Sequence, residues 1–143
     1  MPHLDVFQTT LQKSEEWIAD IQRALDCEPR RAYQALRAVL HTLRDRLPVL
    51  EATHFGAQLP MLIRGLYYEG WRSQDNPVKA NRAEFLETIA AHFSGDFAVD
   101  SATVMQGVLC VMANHMDPSE IVKIERLLPK DFADLWPVVA VKG

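Results

Sequence analysis

The sequence has 143 residues, 48% apolar and 24% charged, with a formal net charge of -4. That balance fits one globular unit long enough to bury a substantial core. It excludes a general nucleic-acid binder, which needs a basic face against phosphate. No apolar run approaches the roughly 18 residues of a membrane span.

The opening Met1-Pro-His-Leu-Asp5 lacks a charged region followed by an apolar run, so no signal peptide is expected. A first helix is expected over about residues 6–25. Leu11, Ser14, Ile18, Ile21 and Leu25 form one stripe, with Trp17 and Ala24 beside it. Asp26-Cys-Glu-Pro29 stops it, and Pro29 suits the first turn of a second helix. That helix reaches about Leu47, with Tyr33, Leu36, Leu40, Leu43 and Leu47 at i+3 and i+4. Pro48 opens a short third helix to about Gln58. Pro60 starts a fourth over 61–69, whose apolar face is Leu62, Ile63, Leu66 and Tyr67. Residues 72–80 read as a polar surface linker with turn formers.

The second half carries cleaner start signals. Asn81 and Glu84 form a capping box ahead of Phe85, Leu86 and Ile89. Residues 94–100 read as a loop, with Asp100 as the cap of a sixth helix. Val104, Met105, Val108, Leu109, Val111, Met112 and Met116 cover much of that helix, which places it at the centre. Asp117-Pro-Ser-Glu120 starts a seventh, with Asp as cap and Glu reaching back. Leu128-Pro129 opens an eighth, with Phe132, Leu135 and Trp136 inward. Period-two alternation and hairpin turn pairs are missing, so no strand is expected.

A displacement of 69 residues lays 38–68 on 107–137 without a gap. Only six of these 31 positions are identical, but the apolar positions keep helical spacing and Leu59-Pro60 meets Leu128-Pro129. A displacement of 68 lays Trp17, Ile21 and Leu25 on Phe85, Ile89 and Phe93. The expected fold is therefore all-α: about eight helices in two repeats, 6–71 and 81–137, related by a pseudo-twofold and sharing one core.

Several side chains invite a functional reading. Glu51-Ala-Thr-His54 has the Glu-x-x-His spacing of di-iron bundles, but the matching place reads Glu120-Ile-Val-Lys123 and lacks the histidine. No metal site is expected. His41 matches Cys110 and should be partly inside, one turn from Arg37 and Asp45; a hydrogen-bonded packing trio and a pH-sensitive contact both fit. Arg30, Arg31, Arg37, Arg44, Arg46 and Arg64 concentrate in the first repeat, with Ala113, His115 and Ala133 opposite Arg44, Arg46 and Arg64. They form either a solvated face paired with Asp45, Glu51 and Glu69, or a recognition face for an anionic ligand or acidic partner. Tyr68 and Trp71 either pin the linker to the body or form a contact surface. No nucleophile motif, phosphate loop or paired-cysteine motif is present. Cys110, in an apolar helix, is expected buried and inert; Cys27 has acidic neighbours that disfavour thiolate. Two free thiols and the missing leader imply a reducing, cytoplasmic setting.

Leu36-Arg-Ala-Val-Leu-His-Thr-Leu-Arg-Asp-Arg-Leu47, Gln58-Leu-Pro-Met-Leu-Ile-Arg-Gly-Leu-Tyr-Tyr-Glu-Gly-Trp71 and Glu84-Phe-Leu86 resemble a bacterial family catalogued as domain of unknown function 2267. The resemblance covers about residues 7–136. It implies an all-helical cytosolic bacterial protein and supplies no reaction, ligand or cofactor. No catalytic residue or cofactor is therefore expected. The preferred expectation is a non-enzymatic binding or scaffold protein, monomer or homodimer. It would meet a protein partner or anionic small ligand through Arg37, His41, Arg44, Arg46, Arg64, Tyr68 and Trp71, and meet neither nucleic acid nor membrane. The alternative is a small helical enzyme or ligand-binding bundle centred on His41, Glu51 and His54.

Overall fold

Residues 4–93 and 100–137 of the computed structural model are described below; there the backbone forms seven α-helices and two 3₁₀ segments, with no strand. The order is α1 Asp5–Leu25, α2 Pro29–Arg46, α3 Val49–Gly56, α4 Met61–Tyr68, a 3₁₀ turn Ser73–Asp75, α5 Arg82–Ala91, α6 Ser101–His115, α7 Pro118–Arg126 and a 3₁₀ segment Lys130–Leu135. The chain is an all-α bundle, as the periodicity indicates. The expected loop at 94–100 lies outside the described residues apart from Asp100, as does the tail 138–143.

Local chemistry places most of the boundaries. Asp26 takes a left-handed conformation (φ 50°) after α1, and the Cys27 N–H donates to the Gln22 carbonyl at 3.1 Å. Pro29 occupies the first turn of α2, where no N–H is needed. Gly70, at φ 70°, reverses the chain after α4. At α5 the capping box closes in both directions: the Glu84 N–H donates to Asn81 Oδ1 at 2.9 Å, and the Asn81 N–H to Glu84 Oε1 at 3.1 Å. Asp100 and Asp117 accept from the N–H groups of Thr103 and Ser119. Glu120 does not reach back to the cap. Its carboxylate is buried and takes a hydrogen bond from Lys123 Nζ at 3.0 Å, because it lies on the inner side of α7.

The central element is α2, where the sequence points to the sixth helix. Seven consecutive residues of α2, Ala38 to Arg44, are buried, since α1, α4, α5 and α6 all pack on it. In α6, Thr103, Gln106, Cys110 and Asn114 form an exposed stripe at i+3 and i+4. Cys110 is therefore exposed rather than buried: the apolar residues beside it turn inward and carry it outward. At Gly107 a Cβ would stand 2.6 Å from Leu25 Cδ2, so the missing side chain lets α1 lie close on α6.

The two halves pair in matching ways. α1 packs on α2 and α6; α5 packs on the same two helices. α3 and α4 contact each other and α2, as α7 and the final 3₁₀ segment contact each other and α6. Pro60 caps α4 at φ -57°, ψ 151°, and Pro129 caps the final segment at -56°, 151°. The buried Tyr67 hydroxyl donates to the Ala52 carbonyl at 2.7 Å, and the Trp136 indole N–H donates to the Ile121 carbonyl at 2.9 Å. The last segment winds as 3₁₀ rather than the expected α-helix.

Candidate functional site

The arginines that the sequence groups on one face have different tasks in the fold. Arg44 is buried, 4% exposed. Its Nη1 donates to the carbonyls of Tyr67 at 2.8 Å and Glu69 at 2.9 Å, and its Nε to Asp45 at 2.8 Å. It thus ties the C-terminal end of α4, where carbonyls lack helical partners, to the middle of the bundle. Arg64 does the same for α3, donating to the carbonyls of Gly56, Ala57 and Leu59 at 3.1, 3.2 and 2.8 Å. Arg46 donates to the Ala80 carbonyl at 3.0 Å, and its guanidinium stands 5.8 Å from the centre of the Phe132 ring. Arg37 is half-exposed and pairs with Glu69 at 3.2 Å. These bonds leave little of the guanidinium set turned outward as one anion-binding face.

His41 is buried, and its Nε2 lies 2.7 Å from the Leu66 carbonyl. The carbonyl only accepts, so Nε2 carries the proton. Arg37 and Asp45 pair instead with Glu69 and Arg44, so the expected trio on one helix face does not close. Burial holds the His41 pKa below its ordinary value, against the pull of the Leu66 carbonyl. Tyr68 and Trp71 pin the chain after α4. The Tyr68 hydroxyl donates to the Thr53 carbonyl, and the Trp71 indole N–H donates to Asn76 Oδ1 at 2.8 Å. Asn76 Nδ2 in turn donates to the carbonyls of Arg44 and Leu47 at 2.7 and 2.8 Å, fastening the linker to the end of α2.

The alternative constellation does not assemble. His54 is exposed on α3, 3.9 Å from Glu120 of α7, while His41 faces α4. Among the described residues, no three histidine, cysteine, aspartate or glutamate side chains gather as a metal would need. The structure does form a pair that sequence reading missed: His115 Nε2 donates to Asp20 Oδ2 at 2.6 Å, beside Trp17. The His115 bond holds the Asp20 carboxyl below the usual range. This pair borders a cleft of about 410 Å³ whose rim mixes Lys13 and Arg64 with Glu16 and Asp117. The partners are 95 residues apart, and no local signal links them.

The largest concavity lies elsewhere. A groove of about 670 Å³ runs between α1, α2 and α4. Leu11, Ile18, Tyr33, Leu36, Leu62, Ile63 and Leu66 form its walls; Ser14, Gln22, Glu15 and Glu69 supply its polar groups. Gly65 lies in it, and a Cβ there would meet nothing within 4 Å. Leu11 and Leu62 are each 51% exposed and Tyr33 44%. The sequence assigns all three to helix stripes that should be covered. Thr10 Oγ1 accepts from the Leu62 N–H at 3.0 Å and holds the start of α4 beside α1, which keeps the groove's edge in place. The apolar surplus of α1 and α4 was the available signal, but helical spacing alone does not say which apolar residues stay uncovered.

No helix among the described residues is long and apolar enough to cross a membrane. A search of the curated proteins finds no match to the chain. A family model described as an uncharacterized conserved protein (DUF2267) matches residues 14–135, which include α2, α4, the Arg44 ties and most of the groove, and the chain belongs to that family.

Proposed function

We propose that this chain is a non-enzymatic binding module, and that it receives the apolar face of a protein helix in the groove between α1, α2 and α4. The groove's composition carries the reading. It is apolar on three sides, its polar groups are few, and none of them pairs as a nucleophile with a base. Leu11 to Gln22 spans 11 residues, about 16 Å along α1 at ~1.5 Å per residue, the length of about three helical turns. Such a trough suits anchors at i, i+3 or i+4, and i+7 of a docked helix.

An internal doubling of the chain supports the same reading. The equal Pro60 and Pro129 caps, the shared packing of α1 and α5 on α2 and α6, and the paired bonds of Tyr67 and Trp136 are what two copies of one unit would make. On that alignment Gly65 answers to Asp134. Asp134 is tied to Arg82, and its carbonyl accepts from Gln106, so the matching place in the second copy is bridged by polar bonds. The first copy would then have specialised as the binding half. The two free thiols, Cys27 and Cys110, fit a reducing bacterial cytoplasm as the place of action.

Gly65→Leu tests the site. The new side chain enters open space, and leucine favours a helix over glycine by about 0.5–1 kcal/mol, so the variant should be at least as stable as the parent. It should nevertheless bind the apolar dye 1-anilinonaphthalene-8-sulfonate roughly tenfold less well at low protein concentration, because the groove is filled. Equal dye binding by the two proteins would remove the groove from the reading.

A further inference from the structure

We infer that the occupant of the groove is α1 of a second copy of this chain, each copy seating Leu4 and Phe7 in the groove of the other. The inference rests on the groove being a helix-docking site and names its partner. Its basis is a discontinuity along one helix. Leu4, Phe7, Leu11, Ser14, Ile18 and Ile21 recur at alternating spacings of three and four, the seam by which paired helices pack. The later part of the seam is used inside the molecule, where Ile21 is fully buried and Ser14 nearly so. The earlier part is not: Leu4, Phe7 and Leu11 are 63%, 60% and 51% exposed.

One helix therefore carries an uncovered apolar ridge in its first two turns and a wall of an unfilled apolar groove in its later turns. Leu11 belongs to both. A twofold axis requires that what residue i meets on the partner, the partner's copy of i meets on the first chain. Two antiparallel α1 helices crossing between Leu11 and Ser14 satisfy this, with Phe7 of each opposite Ile18 of the other. The residues at the crossing suit close approach. Ser14 is small, and its hydroxyl already donates to the Thr10 carbonyl at 2.7 Å, so its burial leaves no unpaired polar atom. Gly65 leaves the room that an aromatic ring from the partner needs.

Sedimentation or light scattering over a concentration series reads this out on the full chain, with dye fluorescence per chain recorded on the same samples. The parent should rise from the chain mass to twice that mass, and its dye signal per chain should fall over the same range. Phe7→Glu and Gly65→Leu should each weaken association by roughly tenfold or more, the loss expected on removing or blocking one central anchor. Leu50→Glu, which changes the most exposed apolar side chain on α3, should dimerise like the parent. Thermal melts confirm that each variant is folded. A parent that stays at the chain mass while its dye signal depends on Gly65 overturns the second copy as occupant and leaves the groove for another helix. A dimer that persists in both Phe7→Glu and Gly65→Leu overturns the proposed contact. A parent with neither dimer nor Gly65-dependent dye binding overturns this inference together with the reading it rests on.

Discussion

His41 shows how burial turns a residue's chemistry into a property of the fold. Its imidazole is enclosed, donates to the Leu66 carbonyl, and has Arg44, Arg37 and His92 near enough to oppose a second proton. Its folded pKa lies below the ordinary value, so the unfolded chain takes up the proton first as pH falls. Stability is then fully present above the unfolded pKa of about 6.5 and is lost as pH falls through that value toward the folded one. Glutamine can donate to the same carbonyl without titrating. Between about pH 7 and 5, urea midpoints of the parent should therefore fall more steeply than those of His41→Gln. Parallel profiles would mean that His41 titrates alike in both states. Arg44 follows the same logic without titrating. Its charge is tolerated inside because two carbonyls and a carboxylate receive it.

At the scale of elements, the ends of short helices govern how the bundle closes. α3 and α4 have eight residues each, too few to persist alone. Their open carbonyl ends are closed by arginines, Arg64 on α3 and Arg44 on α4. The linker is closed similarly by Asn76, which joins Trp71 to the carbonyls of Arg44 and Leu47. Asn76→Ala should cost about 2 kcal/mol in denaturant unfolding, since it strands two carbonyls and the indole N–H in a half-buried setting. A loss below about 0.5 kcal/mol would show that water replaces these bonds without cost. The sequence places this segment correctly at the surface. It gives no sign of the Asn76 fastening, because a polar turn former is equally at home facing water.

At the scale of the whole molecule, the matched pairings of the halves make equal demands on equivalent positions. Tyr67 and Trp136 each span the same interval of chain to a buried carbonyl, on Ala52 and Ile121. Tyr67→Phe and Trp136→Phe should therefore both destabilise, Tyr67→Phe by about 1–2 kcal/mol for the stranded carbonyl and Trp136→Phe by somewhat more because volume is also lost. A double variant should lose close to the sum, as distant sites do. If one substitution is neutral, the two bonds are not equivalent supports, and the doubling loses its main structural argument. The groove belongs to this scale too. Its walls come from α1, α2 and α4, and only their lateral placement leaves Leu11, Tyr33 and Leu62 half-uncovered.

Read by itself, the chain determined its helical class, the prolines and glycine that divide it, the capping box at Asn81, and the apolar stripes that fill the core. These rest on interactions between residues within four positions of each other, which the order of residues states directly. The tertiary structure alone decided that α2 rather than α6 is enclosed, that Cys110 faces water, that Arg44 points inward, and that a groove stays open over Gly65. Each of these depends on how many neighbours cover a given helix face, and those neighbours come from distant parts of the chain. Periodicity shows that a face is apolar; it does not state what lies against it.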